Sequence, residues 1–140
     1  MSRDRRRQDR LNVSQKSFVE VHYQFLDVEG LSSHPHPHGG QALNLSRTGA
    51  LVRGTIPGQD WVSRLLNVQD ILALEIHCSE TQKIRAIASV QWIRRSAERE
   101  KYEFGLRFER LPDSDAKELA RFIAEQEGRS GRLHQFPGTL

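Results

Sequence analysis

The sequence predicts a mainly β fold: a six-stranded antiparallel β-barrel with a C-terminal α-helix. Three observations carry this reading. About six segments of the 140-residue chain alternate apolar and polar side chains with period 2. Turn-forming residues separate them at hairpin spacing. Near the C-terminus the apolar pattern changes to a helical period. A short antiparallel sheet leaves two edges unpaired, and closing it removes both.

The first strand is residues 17–26, "SFVEVHYQFL". Val19, Val21, Tyr23 and Phe25 share one face, with Glu20, His22 and Gln24 on the other. The Gly-, Ser- and Pro-bearing "DVEGLSSHPHPHGG" is a loop. "QALNLS" resumes the alternation, placing Leu43 and Leu45 on one face and Asn44 and Ser46 on the other. "RTG" turns the chain and "ALV" begins the next strand. Residues 54–69 hold a turn in "GTIPG" and, in "DWVSRLLNV", either a helical turn or an irregular link. "ILALEIHC" (71–78) and "KIRAIASVQWIR" (83–94) are strands, the latter with Ile84, Ala86, Ala88, Val90 and Trp92 on one face. Charged "RRSAERE" joins it to "YEFGLRFE" (102–109). In "PDSDAKELARFIAEQ", Ala116, Leu119, Ala120 and Ile123 fall at i, i+3, i+4 and i+7, after stop and cap signals at Pro112, Asp113 and Ser114. The expected organisation is a basic arm over 1–10, a barrel with its helix over 11–127, and a flexible tail over 128–140.

Composition narrows the function. No apolar run approaches the ~20 residues of a membrane span, and the Arg-rich start lacks a signal peptide's apolar region. The single cysteine, Cys78, can form neither an internal disulfide nor a cysteine-based zinc site, so a reducing, cytoplasmic setting is expected. Net charge is +3. Residues 1–10 alone carry Arg3, Arg5, Arg6, Arg7 and Arg10 against Asp4 and Asp9, a local balance of the same size. Such an arm favours an anionic partner.

Two short motifs give that partner a chemistry. "RRQDR" sets Arg6 and Arg10 four apart, with Arg7 beside them. "NLSRTG" puts Asn44 and Ser46 on one strand face, roughly 7 Å apart, ahead of a type I turn ending at Gly49. An amide, a hydroxyl and a bare backbone form a small polar shelf. A guanidinium donates two parallel hydrogen bonds to a phosphate or to guanine O6/N7, and it stacks on a base.

In this order the two motifs, R-x-x-x-R and [D/N]-x-S-x-x-G, resemble those of the PilZ domain family. "ASVQWIRR", "YEFGLRF" and the closing helix "DAKELARFI" continue the resemblance over roughly residues 5–125. It implies a six-stranded barrel that binds the second messenger cyclic di-GMP, a ligand rather than a cofactor. It also implies that Arg6, Arg7 and Arg10 contact phosphates and guanine edges from the arm. Asn44 and Ser46 would contact the ligand from the barrel, with Gly49 allowing close approach. Many members carry Asp where this chain has Asn44; an amide offers guanine one acceptor oxygen where a carboxylate offers two.

No catalytic residues and no metal site are expected. The chain lacks a phosphate loop, H-E-x-x-H, or a Cys/His pair with an orienting partner. His34, His36 and His38 alternate with proline, so a polyproline II path would point their imidazoles apart. Trp92 reads first as barrel packing and second as a base-stacking platform, and Trp61 as a loop anchor. The expected role is that of a stand-alone, non-enzymatic receptor whose arm closes over the nucleotide and alters a surface seen by an unidentified protein partner. The alternative is a protein–protein adaptor with weak or no nucleotide binding. A polynucleotide partner is not expected, because most aromatics have core parity.

Overall fold

A computed structural model describes residues 11–12 and 19–130 of the chain. Its strands are β1 (Leu11–Asn12), β2 (Val19–Leu26), β3 (His38–Leu45), β4 (Gly49–Gly54), β5 (Ile71–His77), β6 (Lys83–Arg95) and β7 (Tyr102–Arg110). Helix α1 (Trp61–Leu66) lies between β4 and β5, and α2 (Asp113–Ser130) follows β7. All neighbouring strands are antiparallel. They run in the order β3-β2-β5-β6-β7-β4, and β4 returns to pair with β3. Six strands therefore close a barrel, and β1 adds a two-residue pairing to the outer side of β3.

The alternating residues of β2 turn inward as their pattern predicts: Val19, Val21, Tyr23 and Phe25 are all buried. Leu72, Leu74 and Ile76 of β5 meet them with Ile84, Ala88 and Val90 of β6 and Phe104 and Leu106 of β7. Trp61 and Leu65 of α1 join this core, as do Leu119 and Ile123 of α2. The segment with the two open readings is thus a short helix that anchors itself through Trp61. Asp113 and Asp115 occupy the first turn of α2, where their charge opposes the positive end of the helix dipole. The barrel interior is filled by rings and branched side chains, so a ligand of nucleotide size can bind only outside it.

Three register shifts interrupt the barrel ladders, and two of them, in β3 and β6, border the site. In β3 the register passes from Ala42↔Val52 to Asn44↔Leu51, leaving Leu43 as an extra residue. Ala42 and Leu45 are therefore the fully buried residues, while Leu43 is only half-buried. In β6 the register passes from Val90↔Leu106 to Trp92↔Gly105, and Gln91 is the extra residue. Ile93, opposite Phe104, takes the inward place expected of Trp92. Trp92 faces outward and is 40% exposed.

The histidine loop also departs from expectation. His38 has already joined β3, opposite Tyr23, and its ring stacks on the Tyr23 ring with centroids 5.7 Å apart. That strand pairing ends the polyproline path. His34 Nδ1 and His38 Nε2 come within 3.4 Å of each other, and His38 Nδ1 bonds Thr55 Oγ1 at 2.8 Å.

Candidate functional site

The β3–β4 turn organises the polar ledge, and Ser46 organises the turn. Ser46 Oγ accepts hydrogen bonds from the backbone N–H groups of Thr48 at 3.2 Å and Gly49 at 3.1 Å. The Ser46 N–H in turn donates to the Gly49 carbonyl at 2.9 Å. The hydroxyl takes the role that a backbone carbonyl has in an ordinary type I turn. It still has its own proton, directed at the Gly49 carbonyl or the Thr48 hydroxyl at 3.3 Å.

Gly49 is bare for a reason internal to the fold. A Cβ at this position would sit 2.1 Å from the backbone oxygen of Leu106. The close approach that the sequence suggests is made by β7, against which Gly49 is paired through Arg107.

The bulge at Leu43 turns Asn44 outward, yet only 3% of it is exposed, because neighbouring strands flank it. On one side it pairs with Leu51 of β4 and on the other with Asn12 of β1. Asn44, Ser46, Thr48, Gly49, Leu51, Gln91, Trp92, Gly105 and Arg107 line an open concavity of about 270 Å³ on the outer surface of β3, β4, β7 and β6. Trp92 borders it from above Gly105. A Cβ on Gly105 would lie 2.4 Å from Trp92 Nε1, so the ring rests on a strand that offers it no side chain.

Charge around the concavity is arranged in a chain. Arg107 donates to Glu109 Oε2 from Nε at 3.2 Å and from its terminal nitrogen at 3.0 Å. The Ser89 hydroxyl donates to the same oxygen, and Gln91 Nε2 donates to Ser89 Oγ at 3.0 Å. The Ser89 bond first, then that of Arg107, hold the Glu109 carboxyl below its ordinary range. Arg47, exposed on the turn, makes no ion pair with any described residue. Arg94 places its guanidinium carbon 5.1 Å from the Trp92 ring centre while bonding Glu103 Oε1 at 2.8 Å.

The structure thus brings Asn44, Ser46 and Gly49 together at one strand end. Arg6, Arg7 and Arg10 lie outside the described residues. Their point of attachment does not: Leu11, which follows Arg10, is opposite Leu45, which precedes Ser46. Leu51, Gln91 and Arg107 escape the sequence reading, and Trp92, read first as packing, borders the concavity instead. Trp92 and Gly105 carry a signal nonetheless, since a large ring and a glycine on adjacent strands suit a cross-strand pair in which one covers the other.

The PilZ domain sequence profile matches residues 4–125, most of the chain. This chain is a member of the PilZ domain family. Its barrel is similar to solved PilZ-type structures. The Klebsiella pneumoniae MrkH–c-di-GMP complex shares 11% identity with a TM-score of 0.64, covering 88% of this chain and 52% of that one. The PilZ domain of Escherichia coli YcgR with c-di-GMP shares 11% at 0.57, covering 86% and 90%. The Bacillus subtilis inhibitor of motility MotI/DgrA shares 17% at 0.56, covering 86% and 55%. The chain spans about half the length of several of these structures. Among curated proteins, none matches.

Proposed function

We propose that this chain is a cyclic di-GMP receptor whose arginine arm clamps the nucleotide onto the ledge of Asn44, Ser46 and Trp92. The observation that carries the reading is the pairing of Leu11 with Leu45. It starts the R-x-x-x-R arm at the ledge, within a residue of Ser46. An extended arm advances about 3.3 Å per residue, so Arg10 and Arg6 would span roughly 13 Å over the concavity. Two solved PilZ-type structures with this fold hold c-di-GMP.

The ledge by itself is half a site. About 270 Å³ lies just under the ~300–1,000 Å³ usual for small-molecule pockets, and the arm would supply the missing wall. Ordering five arm residues costs on the order of 5–10 kcal/mol at 1–2 kcal/mol each. One bidentate guanidinium contact returns only about 1–3 kcal/mol, and one base stacked on Trp92 about the same. Several arginines plus an aromatic platform are therefore required together. Arg47, exposed on the turn, adds positive potential at the ledge and speeds the approach of a dianion.

In this mechanism the chemistry is binding alone. Ligand draws the arm over the ledge and so changes the surface offered to a protein partner. Calorimetry with cyclic di-GMP and cyclic di-AMP tests the reading, since both carry two phosphates and only one has the guanine edge. Saturable binding of the guanine compound alone is expected. Equal binding of both would mean that the ledge reads phosphate and not base.

A second reading, a protein adaptor, is favoured by one feature. An open groove of about 570 Å³ runs over the outer face of β2, β5 and β6, past Gln24, Ala73 and Ile87. The two readings are compatible if the groove is where the partner binds.

A further inference from the structure

Glu20 and His22 alternate on β2, and Glu75 and His77 alternate on β5. The strand register crosses them: Glu20 is opposite His77, and His22 is opposite Glu75. Their inward neighbours Val21 and Ile76 are fully buried, so all four side chains stand on the outer face. This forms a square of two carboxylates and two imidazoles with like groups on the diagonals. The seam between β2 and β5 is across the barrel from the β4–β7 seam that borders the ledge.

The square is already drawn together. Glu20 Oε2 lies 3.0 Å from His22 Nε2, and Glu75 Oε1 lies 3.0 Å from His77 Nε2. The two imidazole rings lie with centroids 4.3 Å apart, tilted 42° to each other. One ligand atom from each of Glu20, His22 and His77 falls within 4.8 Å of the other two.

We propose that Glu20, His22 and His77 form a site for a zinc-class divalent metal ion, with water as its fourth ligand. Tetrahedral zinc with bonds of about 2.0–2.1 Å sets its ligand atoms roughly 3.3 Å apart. Glu20 and His22 already stand 3.0 Å apart, close to that value, and all three ligand atoms fall within 4.8 Å of one another, so small side-chain adjustments suffice to reach it. Two neutral imidazoles and the Glu20 carboxylate bind the dication, and Glu75 beside His77 adds negative charge next to it. Imidazole nitrogen directs the site to zinc, copper or nickel, whereas magnesium and calcium prefer oxygen ligands throughout. Two separate ion pairs would explain each Glu–His contact alone. They do not explain why both imidazoles meet on one spot; one shared dication does. Arg85 of β6 pairs with the other oxygen of Glu75, Nε to Oε2 at 3.4 Å.

The test is a zinc titration of the full chain against a chromophoric chelator, beside His22→Ala/His77→Ala, Glu20→Gln and His34→Ala/His36→Ala. One equivalent of zinc is expected. Its affinity should fall in the His22/His77 variant by more than the roughly 10–100-fold that loss of an outer-shell partner costs. Glu20→Gln should weaken it in the same direction, and this milder variant still tests the site if the double variant fails to fold. Zinc should also raise the melting temperature of the parent. The proposal is overturned if the parent takes up no zinc, or if uptake survives in the first two variants and disappears in His34→Ala/His36→Ala.

Discussion

Gly49→Ala separates a structural glycine from a ligand-contacting one. The added Cβ would lie 2.1 Å from the Leu106 backbone oxygen, against an ordinary contact of 3.4–4 Å. Since a backbone carbonyl cannot rotate away, β4 must move more than an ångström from β7. That shift breaks the strand pairing of Gly49 with Arg107 and strains the neighbouring hydrogen bond from the Phe108 N–H to the Thr48 carbonyl at 2.8 Å. Two weakened bonds cost about 1–3 kcal/mol, and overpacking of this kind about 1–3 kcal/mol more. The φ of Gly49 lies outside the left-handed region, so alanine adds no backbone strain. It recovers about 0.4–1 kcal/mol by restricting the unfolded chain. The net loss is about 2–5 kcal/mol, a large share of the roughly 5–15 kcal/mol that holds a domain together. Urea denaturation followed by circular dichroism measures it. A Gly49→Ala protein as stable as the parent that no longer bound nucleotide would refute this reasoning and return the residue to the ligand.

Other predictions are as direct. Trp92→Ala should leave stability nearly unchanged, because the ring is 40% exposed, and should weaken cyclic di-GMP binding by about 1–3 kcal/mol, or roughly 5–150-fold, in calorimetry. Gly105→Ala should lower affinity in the same direction by displacing that ring. Burial first, and then the charges of His34 and His36, hold the His38 pKa below its ordinary value. The folded state therefore binds this proton less well than the unfolded state. The stability it supports is present above about pH 6.5 and is lost as pH falls through the folded value. Melting temperatures measured across that window should fall less steeply for His38→Gln than for the parent. Burial pushes the Cys78 thiol up to about 11, with Glu118 adding to the effect and Arg121 opposing it. Iodoacetamide at pH 7.5 should alkylate native Cys78 roughly two orders of magnitude more slowly than a thiol of ordinary pKa, the difference disappearing in urea.

What the sequence makes legible follows from its period. β2 alternates without interruption, so Val19, Val21, Tyr23 and Phe25 can be assigned inward from residue types alone. The helix of Leu119 and Ile123 is as plain. Where a strand holds an extra residue, counting by twos fails from that point on. The count places Leu43 with Leu45 and Trp92 with Val90; in each case the bulge carries it across the sheet. Nothing in "ALNL" or "VQWI" marks which residue will be extra, because a bulge is decided by the partner strand. The site is affected most, since the bulges are what turn Asn44 and Trp92 toward a common concavity. The sequence motif offers Ser46 as a group for the ligand, and its hydroxyl proves to be the element that folds the turn. The square of Glu20, His22, Glu75 and His77 needs the register between two strands separated by 44 residues of chain.

The most direct measurement is the calorimetric dissociation constant of cyclic di-GMP for the parent and for Arg6→Ala/Arg10→Ala at one salt concentration. If the arm clamps the nucleotide, removing two guanidinium forks loses about 2–6 kcal/mol and takes binding from saturable to near undetectable. An unchanged dissociation constant in the double variant would contradict the clamp and leave the ledge without its second wall.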